Sequence, residues 1–511
     1  MPIAITNTAT IVGIEAHVIE VEADVRIGLG NFAIVGLPDG AIKESRERIM
    51  AAINTSCGGF PVRKIVVNLA PADIKKMGTG FDLPIAMTVL EAGHVLPPQS
   101  LRSFLIIGEL SLDGKIRPVD GILAVAQAAK KAGVTTLIIP EENGAAASII
   151  QGLRVLTASH LRELVDHFCS NSQLSVYNEQ QRLSFEDAIG LDVDFLDVKG
   201  QETAKRALEI AAAGNHHVLL SGPPGSGKSM LAKRMPSILP PLNFDEAIEV
   251  TQIHSVAGML AKNHNLLQSR PFRNPHHTIS GAGLVGGGSI PKPGEVSLAH
   301  HGVLFLDELP EFPRSVLDLL RQPIEDRQVV ISRVNSTVVF PCDYLLLAAM
   351  NPCPCGYLGD PEKECSCSAS SVIKYRSKIS GPILDRIDIQ VEMPLLTYEE
   401  LSTYRKGESS SLIRERVLRA RNMQAERFRN SKTRCNSDML PKQLEKYCIL
   451  NEEGHQLLGR ALNSFRLSGR AHDSILKVSR TIADLEQSER IQLHHLAEAV
   501  NYRSLDKEVA F

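Results

Sequence analysis

The sequence of 511 residues has no stretch of the roughly 18–20 consecutive apolar residues that a membrane-spanning helix requires. Its first residues, Met1 to Thr8, also lack the basic segment and apolar core that begin a secretory signal. Together these absences predict a cytoplasmic protein that makes no contact with a membrane.

Cysteine is scarce, and there is no excess of positive charge. Nine cysteines in 511 residues, an odd number, argue against a disulfide scaffold and indicate a reducing compartment. The formal net charge of −3 gives no overall basic signature for nucleic acid. A local basic surface remains compatible with this net charge, because basic groups can line a channel or groove while the outer surface is acidic.

The composition that is present, 43% hydrophobic and 22% charged residues, is that of a globular protein, and the length predicts about three domains. Residues 1–168 form an α/β pattern and residues 169–184 a polar linker. Residues 185–395 alternate short apolar strands with amphipathic helices, which predicts a parallel sheet with helices on both faces. Residues 396–511 are predicted to be helical throughout. The expected fold class is therefore α/β and multidomain.

Within residues 1–168 the pattern of apolar residues predicts individual elements. Strand-like segments lie at residues 11–25, 64–69, 104–108 and 136–140. Helix-like segments lie at residues 41–53 and 122–132. This block has enough apolar residues for a core of its own.

A glycine-rich loop follows the short apolar strand 217–220 and precedes a helix that begins near Met230. The loop consists of Gly222, Pro223, Pro224, Gly225, Ser226, Gly227, Lys228 and Ser229. In this context, backbone N–H groups and a helix N-terminus surround phosphates. Lys228 is predicted to reach the β- and γ-phosphates of ATP, and the Ser229 hydroxyl to bind Mg²⁺. The alternative is a chance Gly/Pro loop before a helix.

Two further apolar strands end in polar residues. One ends at Leu306, followed by Asp307 and Glu308, and is expected to lie beside the strand of the glycine-rich loop. Asp307 would then lie near the magnesium ion and Glu308 would polarise the attacking water. The next strand ends at Asn351, which could hold that water or sense the γ-phosphate. The alternatives are an ordinary strand with acids at its end and a turn residue before Pro352.

Three segments carry a family resemblance: GEVSLAHHGVLFLDE at 294–308, NPCPCG at 351–356 and SGPILDRID at 380–388. They resemble the magnesium-chelatase-like subfamily of AAA+ ATPases, and within it the bacterial YifB/ComM family. The resemblance extends over essentially the whole chain. It implies a central AAA+ ATPase domain at 185–395 and a helical lid at 396–511.

The resemblance also assigns two arginines. It implies that Arg386 is the finger that reaches the γ-phosphate of a neighbouring subunit, and that Arg470, which opens a lid helix, is the second sensor. The alternatives are a local ion pair of Arg386 with Asp385 or Asp388 and, for Arg470, replacement by Arg480 on the same predicted helix. A finger acting in trans requires an oligomer, and the family implies a hexameric ring.

Two insertions are placed by the resemblance where this subfamily faces the ring channel. Residues 272–277 lead into the glycine-rich segment 280–288, and residues 329–340 form a predicted β-hairpin. Arg273 and Arg333 are candidate contacts with a DNA backbone; the alternative for Arg333 is a solvated turn residue. The helix predicted at 413–434, with eight Lys/Arg and two Glu, could contact nucleic acid, although a solvated lid helix is favoured.

Four cysteines lie close together on the loop 353–367. Cys353, Cys355, Cys365 and Cys367 form two CxC pairs, which suit a tetrahedral structural Zn²⁺ ion; the alternative is reduced surface thiols. Four pairs of adjacent histidines have no carboxylate or cysteine partner at ligand spacing, so no metal site is predicted there. They are residues 216/217, 276/277, 300/301 and 494/495.

The first block has a resemblance of its own. Residues 107–121 and 132–143 resemble the proteolytic domain of Lon proteases, which has the ribosomal S5 domain 2-like fold. Alignment places Asp82 and Leu123 where that mechanism needs a serine nucleophile and a lysine base. Neither side chain can do that chemistry, so the domain is predicted to be inactive as a protease and to serve assembly or nucleic-acid binding.

These observations favour an ATP-driven, DNA-translocating ring. The family resemblance implies branch migration in homologous recombination and the integration of transforming DNA. Three alternatives remain: a chelatase-type remodeller of a protein partner, a Lon-like ATP-dependent protease, and a nucleotide-binding scaffold without hydrolysis.

Overall fold

The computed structural model describes most of the chain. The described residues are 3–28, 30–61, 63–177, 193–260, 266–288, 291–333, 336–360, 363–398, 407–465 and 467–503. The chain divides into two units: residues 1–184 with 251–267 make the first, and residues 185–250 with 268–511 the second. The predicted division into three domains and a linker remains a prediction, and residues 178–184 of that linker lie outside the described residues.

The first unit contains a mixed sheet and the helices that cover it. Its strands are β1 (Ala4–Val12), β2 (Glu15–Arg26), β3 (Asn31–Val35), β4 (Lys64–Ala70), β5 (Phe104–Ile106), β6 (Glu109–Leu110), β7 (Ile116–Arg117), β8 (Thr136–Pro140) and β9 (Arg154–Ala158). Its helices are α1 (Gly40–Cys57), α2 (Asp82–Ala92), α3 (Ile122–Lys131), α4 (Gly144–Ser148) and α5 (Leu161–Phe168). Seven strands form one sheet in the order β3-β4-β2-β1-β5-β8-β9.

The single strand predicted at residues 11–25 is wrong, because two antiparallel strands occupy this region. β1 pairs with β2 from Ala4 opposite Ala23 to Val12 opposite Glu15. Gly13 forms the turn with φ of +67°, a backbone conformation that glycine adopts without a steric penalty. The apolar alternation continues on both sides of this two-residue turn and therefore hides it in the sequence.

Helix α2 is buried along its entire length, which the sequence did not reveal. All of its residues are buried, and its composition is apolar on every side rather than on one stripe. It shares a core with Ile65, Val67 and Leu69, which alternate along β4 and are fully buried. A helix of this kind has no amphipathic period by which it could be recognised.

The second unit contains the strands β10 (Val218–Ser221), β11 (Phe272–Arg273), β12 (Gly286–Gly287), β13 (Lys292–Pro293), β14 (Val303–Leu306), β15 (Gln328–Arg333), β16 (Ser336–Pro341), β17 (Leu345–Met350) and β18 (Ile389–Glu392). Its helices up to residue 398 are α6 (Glu202–Gly214), α7 (Lys228–Ile238), α8 (Phe244–Val256), α9 (Gly281–Val285), α10 (Glu295–Leu298), α11 (Arg314–Asp318), α12 (Arg321–Asp326), α13 (Ala369–Arg376) and α14 (Gly381–Leu384). The residues of α8 from Thr251 onward belong to the first unit.

A five-stranded sheet with the order β11-β14-β17-β10-β18 forms the centre of this unit, and every neighbouring pair is parallel. β10, β14 and β17 are buried at every position, as parallel strands covered on both faces are. The predicted parallel sheet is therefore present. The expectation that β14 lies beside β10 is wrong, because β17 lies between them and pairs with both.

The remaining described residues of the second unit, 407–465 and 467–503, contain helices and no strand. These helices are α15 (Ser410–Arg427), α16 (Pro441–Tyr447), α17 (Glu452–Phe465), α18 (Gly469–Leu485) and α19 (Leu493–Asn501). Helix α15 packs on α6, where Arg421 and Gln424 donate hydrogen bonds to the backbone carbonyls of Ala212 and Ala213. No helix within the described part of the chain is both long and apolar enough to span a bilayer.

A buried ion pair joins two helices of the first unit. Asp82, at the start of α2, is completely buried and accepts hydrogen bonds from Arg48 on α1, at 2.8 Å from Nε and 3.1 Å from a terminal nitrogen. Burial raises the pKa of Asp82 to about 6, and the Arg48 guanidinium opposes that shift. Because this pKa exceeds the ordinary value of 3.8, the folded chain holds the proton more tightly and its stability falls as the pH rises through about 6.

We expect Arg48→Ala to lower the free energy of unfolding of the first unit by about 3–5 kcal/mol at pH 8, because it leaves an ionised carboxylate buried without a partner. At pH 5 the loss should be smaller, since Asp82 can take up a proton. Chemical denaturation at both pH values measures this. Arg26→Ala is the matched control, since that side chain is 76% exposed, and a loss as large as that of Arg48→Ala would contradict the assignment.

Candidate nucleotide site

The glycine-rich loop connects β10 to α7, and its three glycines are needed for two different structural reasons. Gly225 and Gly227 have φ of +84° and +90°, conformations that side chains disfavour. At Gly222 the reason is close packing, since a Cβ atom would lie 2.3 Å from the backbone oxygen of Met393. Helix α7 begins at Lys228, so its first N–H groups face the loop.

Lys228 connects this loop to the end of a neighbouring strand. Its Nζ donates to the backbone oxygens of Gly222 at 2.6 Å and Pro223 at 2.8 Å, and to Asn351 Oδ1 at 3.3 Å. Burial lowers the pKa of Lys228 from its ordinary value. Asn351 follows β17, so the structure brings together the predicted phosphate-binding lysine and the predicted sensor.

Ser229 and Asp307 also meet, although β17 separates their strands. Ser229 Oγ donates to Asp307 Oδ2 at 2.7 Å, and Asp307 Oδ1 accepts the N–H of Glu308 at 2.9 Å. Parallel strands place their carboxyl ends along the same edge of a sheet, so one intervening strand still leaves the two residues in contact. A hydroxyl and a carboxylate oxygen are donors that suit Mg²⁺.

Glu308 has a partner that sequence analysis missed. Its carboxylate lies 3.3 Å from His277 Nδ1, and its backbone adopts a left-handed conformation with φ of +53°. His277 follows β11, which pairs in parallel with β14. The available signal was that both residues follow strands of the same sheet, but His277 was predicted only as part of the insertion 272–277 and of a histidine pair without a metal site.

The two predicted arginine sensors lie together. Arg386 donates to Glu325 Oε1 at 2.6 Å, and Arg470 donates to the same oxygen. Both arginines line a cavity of about 650 Å³ whose lining includes none of the residues of the glycine-rich loop. The local ion pairs suggested for Arg386 are not formed, since Asp388 binds His216 at 3.0 Å instead.

Arg480, the alternative to Arg470, is not available for a ligand. Its side chain is 2% exposed and pairs with Asp484. It also donates to the backbone oxygen of Glu489 at 2.8 Å. Arg470 lies in the first turn of α18, after Ser468, whose hydroxyl accepts the N–H of Ala471 at 3.2 Å and caps the helix.

The four cysteines form one cluster. Sγ of Cys353 lies 3.3 Å from that of Cys355 and 3.6 Å from that of Cys365, and the N–H of Cys355 donates to Cys367 Sγ at 3.4 Å. All four sulfur atoms lie within 4.8 Å of one another. A tetrahedral zinc ion with bonds of ~2.3 Å separates its sulfur ligands by about 3.8 Å, so the donor set and its spacing fit zinc.

The cysteine cluster lies directly against the glycine-rich loop. Gly356, next to Cys355, has φ of +88°, and a Cβ atom there would lie 2.5 Å from Cδ of Pro224. The sequence predicted the cysteine loop and the glycine-rich loop in the same domain, but it contained no signal for the contact between Gly356 and Pro224.

Carboxylates lie beside two of the histidine pairs, which sequence spacing did not show. Glu249 accepts from His300 at 3.1 Å and from His301 at 2.8 Å. His300 Nδ1 accepts the backbone N–H of Asp343 at 2.9 Å, so the ring proton is on Nε2 and is donated to Glu249. Glu486 is placed in the same way beside His494 and His495. Both groups are hydrogen-bonded histidine–carboxylate clusters, and their nitrogen and oxygen atoms lie within 4.8 Å of one another.

Of the two candidate DNA contacts, Arg273 is paired with an acid of its own chain, and the side chain of Arg333 lies outside the described residues. Arg273 makes a bidentate pair with Glu295, at 2.6 and 2.7 Å. β15 and β16 form the predicted hairpin, with Ile331 opposite Val338. The Arg333 side chain and residues 334–335 at the tip lie outside the described residues.

Basic residues of α15 also bind within the chain. Arg416 donates to Glu209 at 2.5 Å, and Arg427 donates to Asp484 at 2.7 Å. The sequence favoured a solvated lid helix, whereas these two arginines are paired with acidic residues of α6 and α18.

The positions aligned with the Lon nucleophile and base carry no such groups. Asp82 is held in the ion pair with Arg48, and Leu123 is 2% exposed within α3. A carboxylate engaged by an arginine and an apolar side chain provide neither an activated hydroxyl nor a proton acceptor.

The sequence matches known proteins over nearly its whole length. Residues 194–401 match "Magnesium chelatase, subunit ChlI", residues 21–143 match "Subunit ChlI of Mg-chelatase", and residues 407–503 match "Magnesium chelatase, subunit ChlI C-terminal". The chain is 42% identical over 508 residues to "Competence protein ComM" of Haemophilus influenzae, covering 99% of this chain and 98% of that protein. It is 42% identical over 509 residues to "Uncharacterized protein YifB" of Salmonella typhimurium, with the same coverage. A shorter similarity of 33% over 151 residues covers 27% of the chain and 26% of "Lon protease 2" of Bacillus subtilis.

Proposed function

Because the chain belongs to the magnesium-chelatase-like family that includes ComM and YifB, as its motifs predicted, we propose that it is an ATP-driven, ring-forming DNA motor of the helicase or branch-migration type. It acts in the cytoplasm, in homologous recombination and the integration of transforming DNA. The observation that carries the proposal is the cluster of polar residues at the carboxyl edge of one parallel sheet. Its members are Lys228, Ser229, Asp307 and Asn351.

In this proposal each of these residues has a part in ATP hydrolysis, which the geometry supports. Phosphates bind at the loop 222–227 because its N–H groups and the N-terminus of α7 attract anions. Lys228 exchanges its backbone carbonyl partners for phosphate oxygens. Mg²⁺ held by Ser229 and Asp307 would neutralise charge on the phosphates. Glu308 polarises the attacking water, and Asn351 holds that water or senses the γ-phosphate.

The placement of Arg386 and Arg470 supports action on a neighbouring chain. Both line a cavity whose lining includes no residue of the glycine-rich loop. Head-to-tail association that closes produces a ring, and the family implies six subunits. Arg386 then acts as the finger, and Arg470 as the second sensor, at the γ-phosphate of the adjacent subunit.

DNA as the substrate rests on the relatives. The Haemophilus influenzae relative is named a competence protein, which supports a role in the uptake or integration of DNA. The first unit serves assembly or nucleic-acid binding, because the Lon-like positions lack the groups for proteolysis. Arg333 on the hairpin and Arg273 beside the glycine-rich segment remain candidate backbone contacts.

The cysteine cluster holds a structural Zn²⁺ ion in this proposal. Cys353, Cys355, Cys365 and Cys367 offer four sulfur ligands at compatible spacing. Four thiolates leave no open position for water, so the ion would order the loop 353–367 rather than take part in hydrolysis.

Single-stranded or forked DNA should stimulate ATP turnover, and the protein should displace a strand from a fork in the presence of ATP. Lys228→Ala should lower turnover by about 10²–10³-fold, because it removes the cation at the transferred phosphate. Lys233→Ala, an exposed lysine on the same helix, is the matched control and should leave turnover unchanged. If turnover responded to a protein partner but not to any DNA, the remodelling alternative would replace this proposal.

Mixing two inactive variants tests the shared site. Arg386→Ala and Glu308→Gln subunits should each be inactive alone and partly active together, since in a 1:1 mixture about a quarter of head-to-tail interfaces are intact. A mixture of Lys228→Ala with Glu308→Gln is the control, because both changes damage the same side of the interface. Absence of recovery at every ratio of the first pair would argue against a finger in trans.

Metal analysis of protein purified without chelators should find about one zinc ion per chain. Cys353→Ser should lose most of it, whereas Cys169→Ser, outside the cluster, should retain it. A wild-type protein that contains no zinc and binds none when zinc is added would disprove the four-thiolate site.

A further inference from the structure

A single carboxylate receives both predicted sensor arginines. Glu325 lies near the end of α12, and its Oε1 accepts from Arg386 at 2.6 Å and also from Arg470. The two arginines come from distant parts of the chain, one after α14 and one in the first turn of α18. Glu325 is therefore the point at which the ATPase sheet region and the helical region present their arginines side by side.

No other acid takes this place in the described part of the chain. Glu325 is the only carboxylate found within ion-pair distance of either Arg386 or Arg470 there. Asp388, which lines the same cavity, is bound by His216. Arg386 also donates to the backbone oxygen of Pro382, but Glu325, which is 42% exposed, is the side chain that the two arginines share.

The two guanidinium groups have only Glu325 within ion-pair distance in the described part of the chain, although Asp385, Asp388 and Asp473 also line the cavity. Nε of Arg386 is buried without a hydrogen-bond partner, so this arginine retains an unused donor. Arg470 lies at a helix N-terminus, where the helix dipole disfavours a cation, and a nearby carboxylate offsets that cost. Without Glu325, the two arginines would repel each other and separate.

We propose that Glu325 is a positioning residue for ATP hydrolysis: it holds Arg386 and Arg470 as a pair that approaches the γ-phosphate of the neighbouring subunit together. This inference rests on the proposed function, in which both arginines act in trans. Their common anchor on Glu325 fixes their separation before the nucleotide arrives. Positioning of this kind affects the transition state more than nucleotide binding.

Glu325→Gln should lower kcat for ATP hydrolysis by about 10- to 100-fold while the KM for ATP stays nearly constant. Asp326→Asn is the matched control, because it removes the same charge from the next residue, whose carboxylate contacts Gln322 rather than an arginine. Glu325→Asp keeps the carboxylate on a shorter side chain and should retain part of kcat. If the glutamine variant does not fold, the kcat of this aspartate variant tests the positioning role instead. An unchanged kcat, or a raised KM with an unchanged kcat, would overturn the proposal.

Mixed rings separate this inference from the function on which it rests. Glu325→Gln subunits retain their own glycine-rich loop, so mixing them with Glu308→Gln subunits should raise turnover above that of either protein alone. If Arg386→Ala subunits are rescued by Glu308→Gln but Glu325→Gln subunits are not, Glu325 acts in some other way and only this inference fails. If neither is rescued, the shared site itself is wrong.

Discussion

The common direction of the five strands in the second unit determines where every group of the nucleotide site lies. Because β10, β17 and β14 run parallel, the residues that follow them emerge at one edge, and Lys228 meets Asn351 there while Ser229 meets Asp307. The glycines then allow the chain to turn within this crowded edge, with Gly222 packed against the backbone of Met393. The positions of the site residues therefore depend on the sheet as much as on the glycine-rich loop, which is the part that the sequence reveals.

What the sequence could predict was local. The glycine-rich loop, the acids after an apolar strand, the β-hairpin and the four clustered cysteines are each encoded within a few residues. The order of the buried strands was not, because β14 and β17 are apolar at every position and nothing in such a strand specifies its neighbour. Partners far apart in the chain were also missed: Glu325 for Arg386, Glu249 for His300, and His277 for Glu308. In the first unit, a two-residue turn at Gly13 interrupts a continuous apolar alternation, and only the structure reveals it.

The two units pair their charged side chains differently. In the first, Asp82 and Arg48 satisfy each other inside the fold, at a position where related chemistry would require a nucleophile. In the second, the Glu325 carboxylate is shared between two arginines, and Nε of Arg386 has no hydrogen-bond partner. Removing either partner of the Asp82–Arg48 pair would leave a buried group uncompensated, whereas Glu325 and its two arginines lie at a cavity.

Helix α8 contributes to both units, since its residues up to Val250 belong to the second and those from Thr251 to the first. The first unit is therefore discontinuous in the gene, because residues 251–267 are translated only after the whole glycine-rich loop. Two contacts show their role: Gln252 donates to Gln127 at 2.9 Å, and Ser255 accepts the N–H of Gly121 at 3.0 Å. During synthesis, the amino-terminal fold would thus wait for part of the ATPase sequence to leave the ribosome, and a fragment that stops at residue 184 would lack a piece of its own structure.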